Sequence, residues 1–159
     1  MSSQSDSQTV FKGITAGHEV LTEGGWVSIE TVAPAEKLAT LNSTNNKLEY
    51  ITPSSWLVTP VNSEMFSLYS LRHNRAELTC GINTALICRY AKTGAWQNIE
   101  CKKLLGVDFY QKNYLSEVLV KPINCKINQT PFFDNLYLPV NSNNSVLVRK
   151  NGKIFWVGC

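Results

Sequence analysis

The hydrophobic residues of this chain fall into short runs, and polar segments with turn chemistry separate them. The runs are rich in β-branched and aromatic residues, which favour strands. Helical periodicity is weak throughout, and only residues 99–105 offer a candidate of one or two turns. The pattern predicts an all-β domain of short, mostly antiparallel strands. The predicted strands are residues 19–22, 26–29, 37–42, 48–56, 65–71, 76–79, 85–90, 96–99, 115–120, 146–149 and 154–157.

Turn signals divide these runs. Asn151-Gly152 is the sharpest hairpin signal, because it lies between two apolar runs and readily adopts the positive φ angles of a tight turn. Further turns are predicted at residues 23–25, 42–46, 59–63, 92–94 and 141–144. The start of the chain is mostly polar. We therefore expect a flexible N-terminal arm over residues 1–12 and a single β domain over residues 13–159.

Composition limits the partners that the chain can have. Its 159 residues are 43% hydrophobic, which suits one domain with a real core. The net charge of +3 is spread along the chain, with no basic block beyond Lys102-Lys103 and Arg149-Lys150, so we expect no nucleic-acid binding. No apolar stretch approaches the roughly 18 residues of a membrane span, and no signal peptide is evident. We expect synthesis in the cytosol and no membrane association.

The cysteines are odd in number and widely spaced, which favours free, buried thiols over disulfides. A metal site would need a close pair of ligands, so His73 with Cys80 and Cys88 is a poor candidate, and no metal or cofactor is expected. The terminal Cys159 is expected to be more exposed than the others. The five cysteines are Cys80, Cys88, Cys101, Cys125 and Cys159.

Several blocks of the sequence resemble, in order and spacing, a Hint (hedgehog/intein) domain. The opening block is Val20-Leu21-Thr22 followed by Gly25-Trp26, and the closing blocks are Phe133-Asp134-Asn135-Leu136 and Asn151-Gly152. Between them, Glu77-Leu78-Thr79 is similar to the family's second conserved block. The resemblance covers about residues 13–159. It implies a compact Hint fold whose termini lie together, so that Gly13 and Cys159 would be neighbours.

The resemblance also places the family's chemistry on particular residues. Inteins need a nucleophile at the first position, a Thr and a His in the second block, and a His-Asn pair before the acceptor residue. Matched position by position, the nucleophile falls on Gly13, the block histidine on Ile82 or Asn83, and the final pair on Val157-Gly158. None of these side chains can act as a nucleophile or general acid. Only Thr79 and the acceptor position, Cys159, are retained, which implies a Hint fold without self-splicing.

A relocated nucleophile is the alternative. Among Thr15, Ser28, Cys80 and Cys125, we consider Thr15 and Cys80 the leading substitutes. Thr15 lies two residues from the expected position, but it has no evident base, because His18 is interpreted as a surface residue of the turn. Cys80 adjoins Thr79, although a small buried side chain in a strand is its simpler interpretation.

The remaining aromatic and histidine residues have structural interpretations. His73 is predicted at a solvated hairpin tip. A stacking surface for a sugar or base would need several tryptophans on one exposed face, and core packing is the favoured interpretation. The four are Trp26, Trp56, Trp96 and Trp156.

Three functions follow from these interpretations. The first hypothesis is an inactive Hint-like domain that serves as a structural or interaction module in a phage virion or another large assembly, with protein partners among which copies of itself are one candidate. The second is an autoproteolytic domain that uses Thr15 or Cys80. The third is a domain that binds a peptide or small molecule.

Overall fold

The computed structural model describes residues 11–114 and 116–159. The described part contains fourteen strands and three short 3-10 turns, which loops and turns connect. The strands are β1 Ile14–Thr15, β2 Glu19–Thr22, β3 Gly25–Ser28, β4 Leu38–Asn42, β5 Lys47–Ile51, β6 Ser55–Ser70, β7 Arg75–Gly81, β8 Ala85–Arg89, β9 Gln97–Glu100, β10 Phe109–Lys112, β11 Glu117–Val120, β12 Cys125–Val140, β13 Ser145–Lys150 and β14 Lys153–Gly158. The 3-10 turns are Ile29–Thr31, Cys101–Lys103 and Pro122–Asn124.

The strands form two sheets with antiparallel pairing, which confirms the predicted fold class. Strands β1, β12, β6 and β7 close into a small barrel. The other strands form a larger sheet in the order β11-β10-β8-β14-β13-β2-β4-β5, with β3 on β2 and β9 on β8. Strand β1 has only two residues, yet it closes the barrel because Ile14 pairs with Tyr137 of β12 on one side and with Cys80 of β7 on the other.

The predicted turn at residues 59–63 is wrong, because these residues lie inside β6. Strand β6 pairs with β12 along most of its 16 residues, with a register shift between Asn128 and Phe132. Pairing with β7 begins only at Met65, so Pro60 lies where β6 has β12 on one side. Proline is tolerated there because its missing N–H need not face a second strand.

Two further differences concern strand boundaries. The predicted strand 48–56 is wrong as a single unit: β5 ends at Ile51, Pro53 lies in the break, and β6 begins at Ser55. The N–H group of Ser54 donates to the oxygen of Val140 in this break, at 2.8 Å. Strands β1, β10 and β12 were not among the predicted strands. The helical candidate at 99–105 is reduced to a single 3-10 turn after β9.

The main core packs the barrel against the larger sheet. Ile14, Phe66 and Leu78 from the barrel join Phe109 and Val157 from the sheet in one buried cluster. Burying a side chain of this size stabilises the fold by about 1.5–3 kcal/mol. Within the described residues no helix is long and apolar enough to cross a bilayer.

A second cluster explains three of the four tryptophans. Trp156 is buried, and Trp26 and Trp96 pack against its cluster. The guanidinium of Arg149 covers the ring of Trp26 at 4.5 Å, and that of Arg89 covers Trp96 at 4.2 Å. These rings are therefore part of the packing and do not form an open stacking face, as expected from the core interpretation.

The N-terminal contacts reach back to Phe11, which packs against a small cluster of the barrel that includes Val61, Met65 and Leu136. Most of the predicted N-terminal arm, residues 1–10, lies outside the described residues.

Candidate functional site

The backbone at Gly13 is fixed by the last residue of β7 and by the segment that follows it. The N–H of Gly13 donates to Oγ1 of Thr84 at 2.9 Å. Its carbonyl oxygen accepts from the hydroxyl of Thr84 at 3.1 Å and from the N–H of Gly81 at 3.0 Å. Both polar groups of the residue at the predicted nucleophile position are therefore satisfied within the fold.

Asn83 holds Phe11, the residue two positions before Gly13. Its Oδ1 accepts from the N–H of Phe11 at 2.8 Å, and its own N–H donates to the oxygen of Phe11 at 2.9 Å. Its Nδ2 donates to Oε2 of Glu100 at 3.2 Å, and this hydrogen bond is the main cause of the lowered pKa of Glu100. Of the two candidate positions for the block histidine, Asn83 is therefore the one that contacts the start of the chain, whereas Ile82 packs against the main core.

Gly13 is also held in a conformation that is strained for residues with a side chain. Its φ is +132°, in the region that favours glycine. A Cβ placed on it would lie 2.9 Å from Cβ of Leu136 and 3.0 Å from the backbone nitrogen of Tyr137. A Cβ on Gly81 would overlap the carbonyl oxygen of Phe11. The first strand therefore fits against the barrel only because both positions lack a side chain.

His18 is fully buried, so its interpretation as a surface residue of the turn is wrong. Its Nδ1–H donates to the carbonyl oxygen of Thr15 at 2.9 Å, and its Nε2 accepts from the N–H of Thr79 at 3.2 Å. Burial disfavours the charged ring and lowers the pKa of His18 to about 4, with a further contribution from the positive charge of Lys150. His18 thus joins β1 to β7 as a neutral ring.

Thr15 and Thr79 belong to the same buried group. The hydroxyl of Thr15 donates to the carbonyl oxygen of Thr79 at 3.2 Å and lies 3.5 Å from Nδ1 of His18. The hydroxyl of Thr79 faces Oγ of Ser67 at 3.2 Å. Because Nδ1 of His18 carries the proton given to the Thr15 carbonyl, it has no lone pair with which to accept the Thr15 proton.

The cysteines are all free thiols, and Cys80, Cys88 and Cys101 are buried. Burial raises the pKa of Cys88 to about 12 and that of Cys125 to about 11. The Sγ of Cys80 lies 3.6 Å from that of Cys101. Among the described residues, no group of three or more His, Cys, Asp or Glu side chains is arranged to hold a metal ion.

The end of the chain is packed rather than polar. Val157 is buried in the main core, and Gly158 pairs with Ala85 of β8. A Cβ on Gly158 would lie 2.7 Å from Nδ2 of Asn98 and 3.1 Å from Cβ of Ala85. The N–H of Cys159 donates to the oxygen of Asn144 at 2.9 Å.

Cys159 is half-buried against the main core, as is Cys125, and both are more exposed than the other three cysteines. Burial raises the pKa of Cys159 to about 12. Its thiol is therefore protonated near neutral pH.

The two ends converge on two adjacent residues. Gly13 is hydrogen-bonded to Thr84, and Gly158 pairs with Ala85. A β domain in which the first strand closes a small barrel, and the last strand ends beside it, has the architecture of the Hint/intein-like fold.

Solved structures of inteins and an intein-like domain share this fold across nearly their whole length. The AceL NrdHF class 3 split intein, in a glutathione-linked, splice-inactive variant, superposes with a TM-score of 0.73 at 14% identity, covering 92% of this chain and 97% of the other. The bacterial intein-like domain from Clostridium thermocellum superposes with a TM-score of 0.69 at 19% identity, covering 93% of this chain and 99% of the other. The KlbA intein precursor from Methanococcus jannaschii superposes with a TM-score of 0.66 at 12% identity, covering 92% of this chain and 90% of the other.

No protein-family model matches the sequence, and no curated protein matches it either. At these identities the structural likeness shows the fold alone. The chain therefore has the Hint/intein-like fold that the sequence resemblance implied.

Sequence reasoning missed one residue of the site and misplaced another. Thr84 makes the contacts to Gly13, and it directly follows Asn83, so a polar pair ahead of an apolar strand was the available signal. His18 was noticed but placed at the surface. Its hydrogen-bond partner Thr79 is distant in sequence, so no local pattern reveals the burial.

Proposed function

We propose that this chain is a non-processing Hint-like domain that serves as a structural or interaction module. The observation that carries the proposal is that glycine stands at both predicted catalytic ends, with a rigid obstruction at the first and a side chain against the second. Gly13 and Gly158 each occupy a position where even a Cβ would meet atoms at 2.9 Å or less. A nucleophilic side chain at the first position has no room in this packing, and an asparagine before Cys159 would fit only if the Asn98 side chain moved aside.

The relocated nucleophiles are poorly placed for attack. The Thr15 hydroxyl is buried and donates to a backbone carbonyl, and the neighbouring His18 ring is protonated on the nitrogen that faces it. Cys80 is fully buried between β1 and β6. A nucleophile needs both a base within reach and access to a carbonyl carbon, so neither residue supports the autoproteolytic alternative.

The surface is compatible with protein contacts. Several large apolar side chains are more than half exposed, and charged residues are few for a chain of this length. A component of a larger assembly, with a phage particle as our first candidate, would use such surfaces against partner proteins or copies of itself. The exposed apolar residues above half exposure are Leu57, Val58 and Ile123.

Intact mass spectrometry tests the loss of processing. The full chain is incubated for several days with dithiothreitol, and separately with hydroxylamine, which cleaves any ester or thioester that forms. We expect one unchanged mass in both. A time-dependent fragment that maps to residues 12–16, or to Thr79-Cys80, would overturn the proposal. Light scattering coupled to size exclusion then tests self-assembly, for which a concentration-dependent mass is the expected result.

A further inference from the structure

A pair of thiols lies in the core next to the residues that hold the start of the chain. The two sulfurs of Cys80 and Cys101 are 3.6 Å apart, and both side chains have no exposed surface. Cys88 and Cys125 are close enough to Cys101 to influence it electrostatically. The Cys80–Cys101 sulfur contact is the closest that the structure records among the cysteines.

Cys80 and Cys101 are each connected, by a peptide bond or a hydrogen bond, to a residue that binds Gly13. Cys80 precedes Gly81, whose N–H donates to the carbonyl oxygen of Gly13. The N–H of Cys101 donates to the oxygen of Thr84 at 2.8 Å, and Thr84 binds both backbone groups of Gly13. The pair therefore spans the two chain segments between which the first strand is held.

We propose that Cys80 and Cys101 form an intramolecular disulfide under oxidation by a peroxide, and that this bond locks the segments that hold Gly13. A disulfide has an S–S length of about 2.05 Å, so the two sulfurs must approach each other by roughly 1.6 Å. This is a covalent modification site that adds a redox response to a non-processing fold.

The chemistry needs one equivalent of peroxide. One thiol, as its thiolate, attacks an oxygen of hydrogen peroxide, the O–O bond breaks, and a sulfenic acid and one water form. The second thiol attacks that sulfur, the S–O bond breaks, and hydroxide leaves and takes up the proton of the second thiol to give another water. Two thiols have then lost two electrons and the peroxide has gained them.

Because both thiols are buried, this reaction requires a local opening of the fold. Neither sulfur is exposed, and burial together with neighbouring thiols holds the pKa of Cys101 well above its usual value. Reaction therefore waits for a local opening of the fold, and the half-buried Cys125 and Cys159 react with peroxide sooner. Once formed, the disulfide is shielded from reductants by the same packing.

The test uses the full chain with Cys125 and Cys159 replaced by alanine, treated with excess hydrogen peroxide and then alkylated after unfolding. Before alkylation we expect a species about 2 Da lighter than the reduced chain, which then takes up one alkyl group where the reduced chain takes up three, and whose linked peptides contain Cys80 and Cys101. Because the bond closes a loop of about twenty residues, we expect the Tm to rise by roughly 5–10 °C and to return with dithiothreitol. Amide exchange at residues 11–15 should slow by at least tenfold.

Cys101→Ala must abolish the lighter species, whereas Cys88→Ala must retain it. Peptide mapping of the chain without these substitutions gives the same answer if a variant fails to fold. The proposal is wrong if no lighter species forms, if the linked peptides contain another pair, or if the Tm stays the same or falls. None of these results changes the total number of peptide bonds, so they are distinct from the cleavage that would overturn the proposed function.

Discussion

The two ends of the chain exclude side chains in different ways. At Gly13, the obstructing atoms are Cβ and backbone atoms of Leu136 and Tyr137 in β12, and φ is +132°. At Gly158, the nearest obstruction is the amide of Asn98, which is an exposed side chain that can rotate away. The first position is therefore closed by the rigid frame of the barrel. The second is closed mainly by one movable group, so it should tolerate a side chain far better.

Gly13→Ala should have the largest effect on stability. The substitution combines an unfavourable φ with overlap against β12, and we expect a loss of about 3–5 kcal/mol in the free energy of unfolding, measured in urea. Gly25→Ala is the matched control, because its φ is +117° but nothing lies within 4 Å of its Cβ position. It should cost only about 1–2 kcal/mol. Equal losses would mean that the overlap at Gly13 is relieved at no cost.

Acid should destabilise the fold through His18. The pKa of His18 is lowered from 6.5 to about 4, so the unfolded chain binds the proton more readily than the folded one. Stability from this group is complete above pH 6.5 and declines as the pH falls towards 4, by up to about 3 kcal/mol. Urea unfolding between pH 4 and 7.5 measures this loss.

The variant His73→Gln serves as the control for the acid response. His73 is exposed in the turn between β6 and β7, so its removal should leave the decline in place. His18→Gln should remove the decline of stability with falling pH. A decline that persists in the His18 variant would assign the effect to carboxylates instead.

Thr84→Val should have an intermediate effect. The change keeps the shape of the side chain but leaves the N–H of Gly13 without a partner and removes one of two donors to its oxygen. We expect a loss of about 1–3 kcal/mol and faster amide exchange at residues 11–15. Thr84→Ser, which keeps the hydroxyl, should lose less than half as much. If Val and Ser behave alike, the hydroxyl contributes little to holding Gly13.

Gly158→Ala tests the other side of the comparison and should have the smallest effect, about 1 kcal/mol. In a chain that also carries Asn98→Ala, the cost should fall to about 0.5 kcal/mol or less, because the obstructing amide is gone. A double-mutant cycle by urea unfolding gives the coupling between the two residues. Additive losses would show that Ala85, and not Asn98, limits the space at Gly158.

Local pattern predicted the larger sheet better than the barrel. Strands β13 and β14 were predicted to within one residue at each end, since β-branched runs flank the Asn151-Gly152 turn, and Asn151 adopts a φ of +52°. The barrel strand β12 was missed because polar residues and Pro131 interrupt its apolar positions. Its partner β6 was split by a false turn at residues 59–63. These two strands form by long-range pairing with each other, which no short window of sequence contains.

The candidate site was only partly predictable. Alignment with the family blocks placed Gly13 and Asn83, and the structure shows Asn83 bound to the chain just before Gly13. The roles of His18 and Thr84 depend on contacts across more than sixty residues of sequence. The burial and the partners of His18 and Thr84 depend on the tertiary structure. The absence of a side chain at Gly13 and Gly158, in contrast, can be read directly from the sequence.

The two-residue strand β1 has a consequence for solubility. It is the member that lies between β7 and β12, so a proteolytic cut just after Thr15 would release the piece that joins them. Two neighbouring strands would then present unpaired backbone groups, which can pair with the same edges on other molecules. We therefore expect a chain without residues 11–15 to aggregate, and a synthetic peptide of that sequence to restore its solubility.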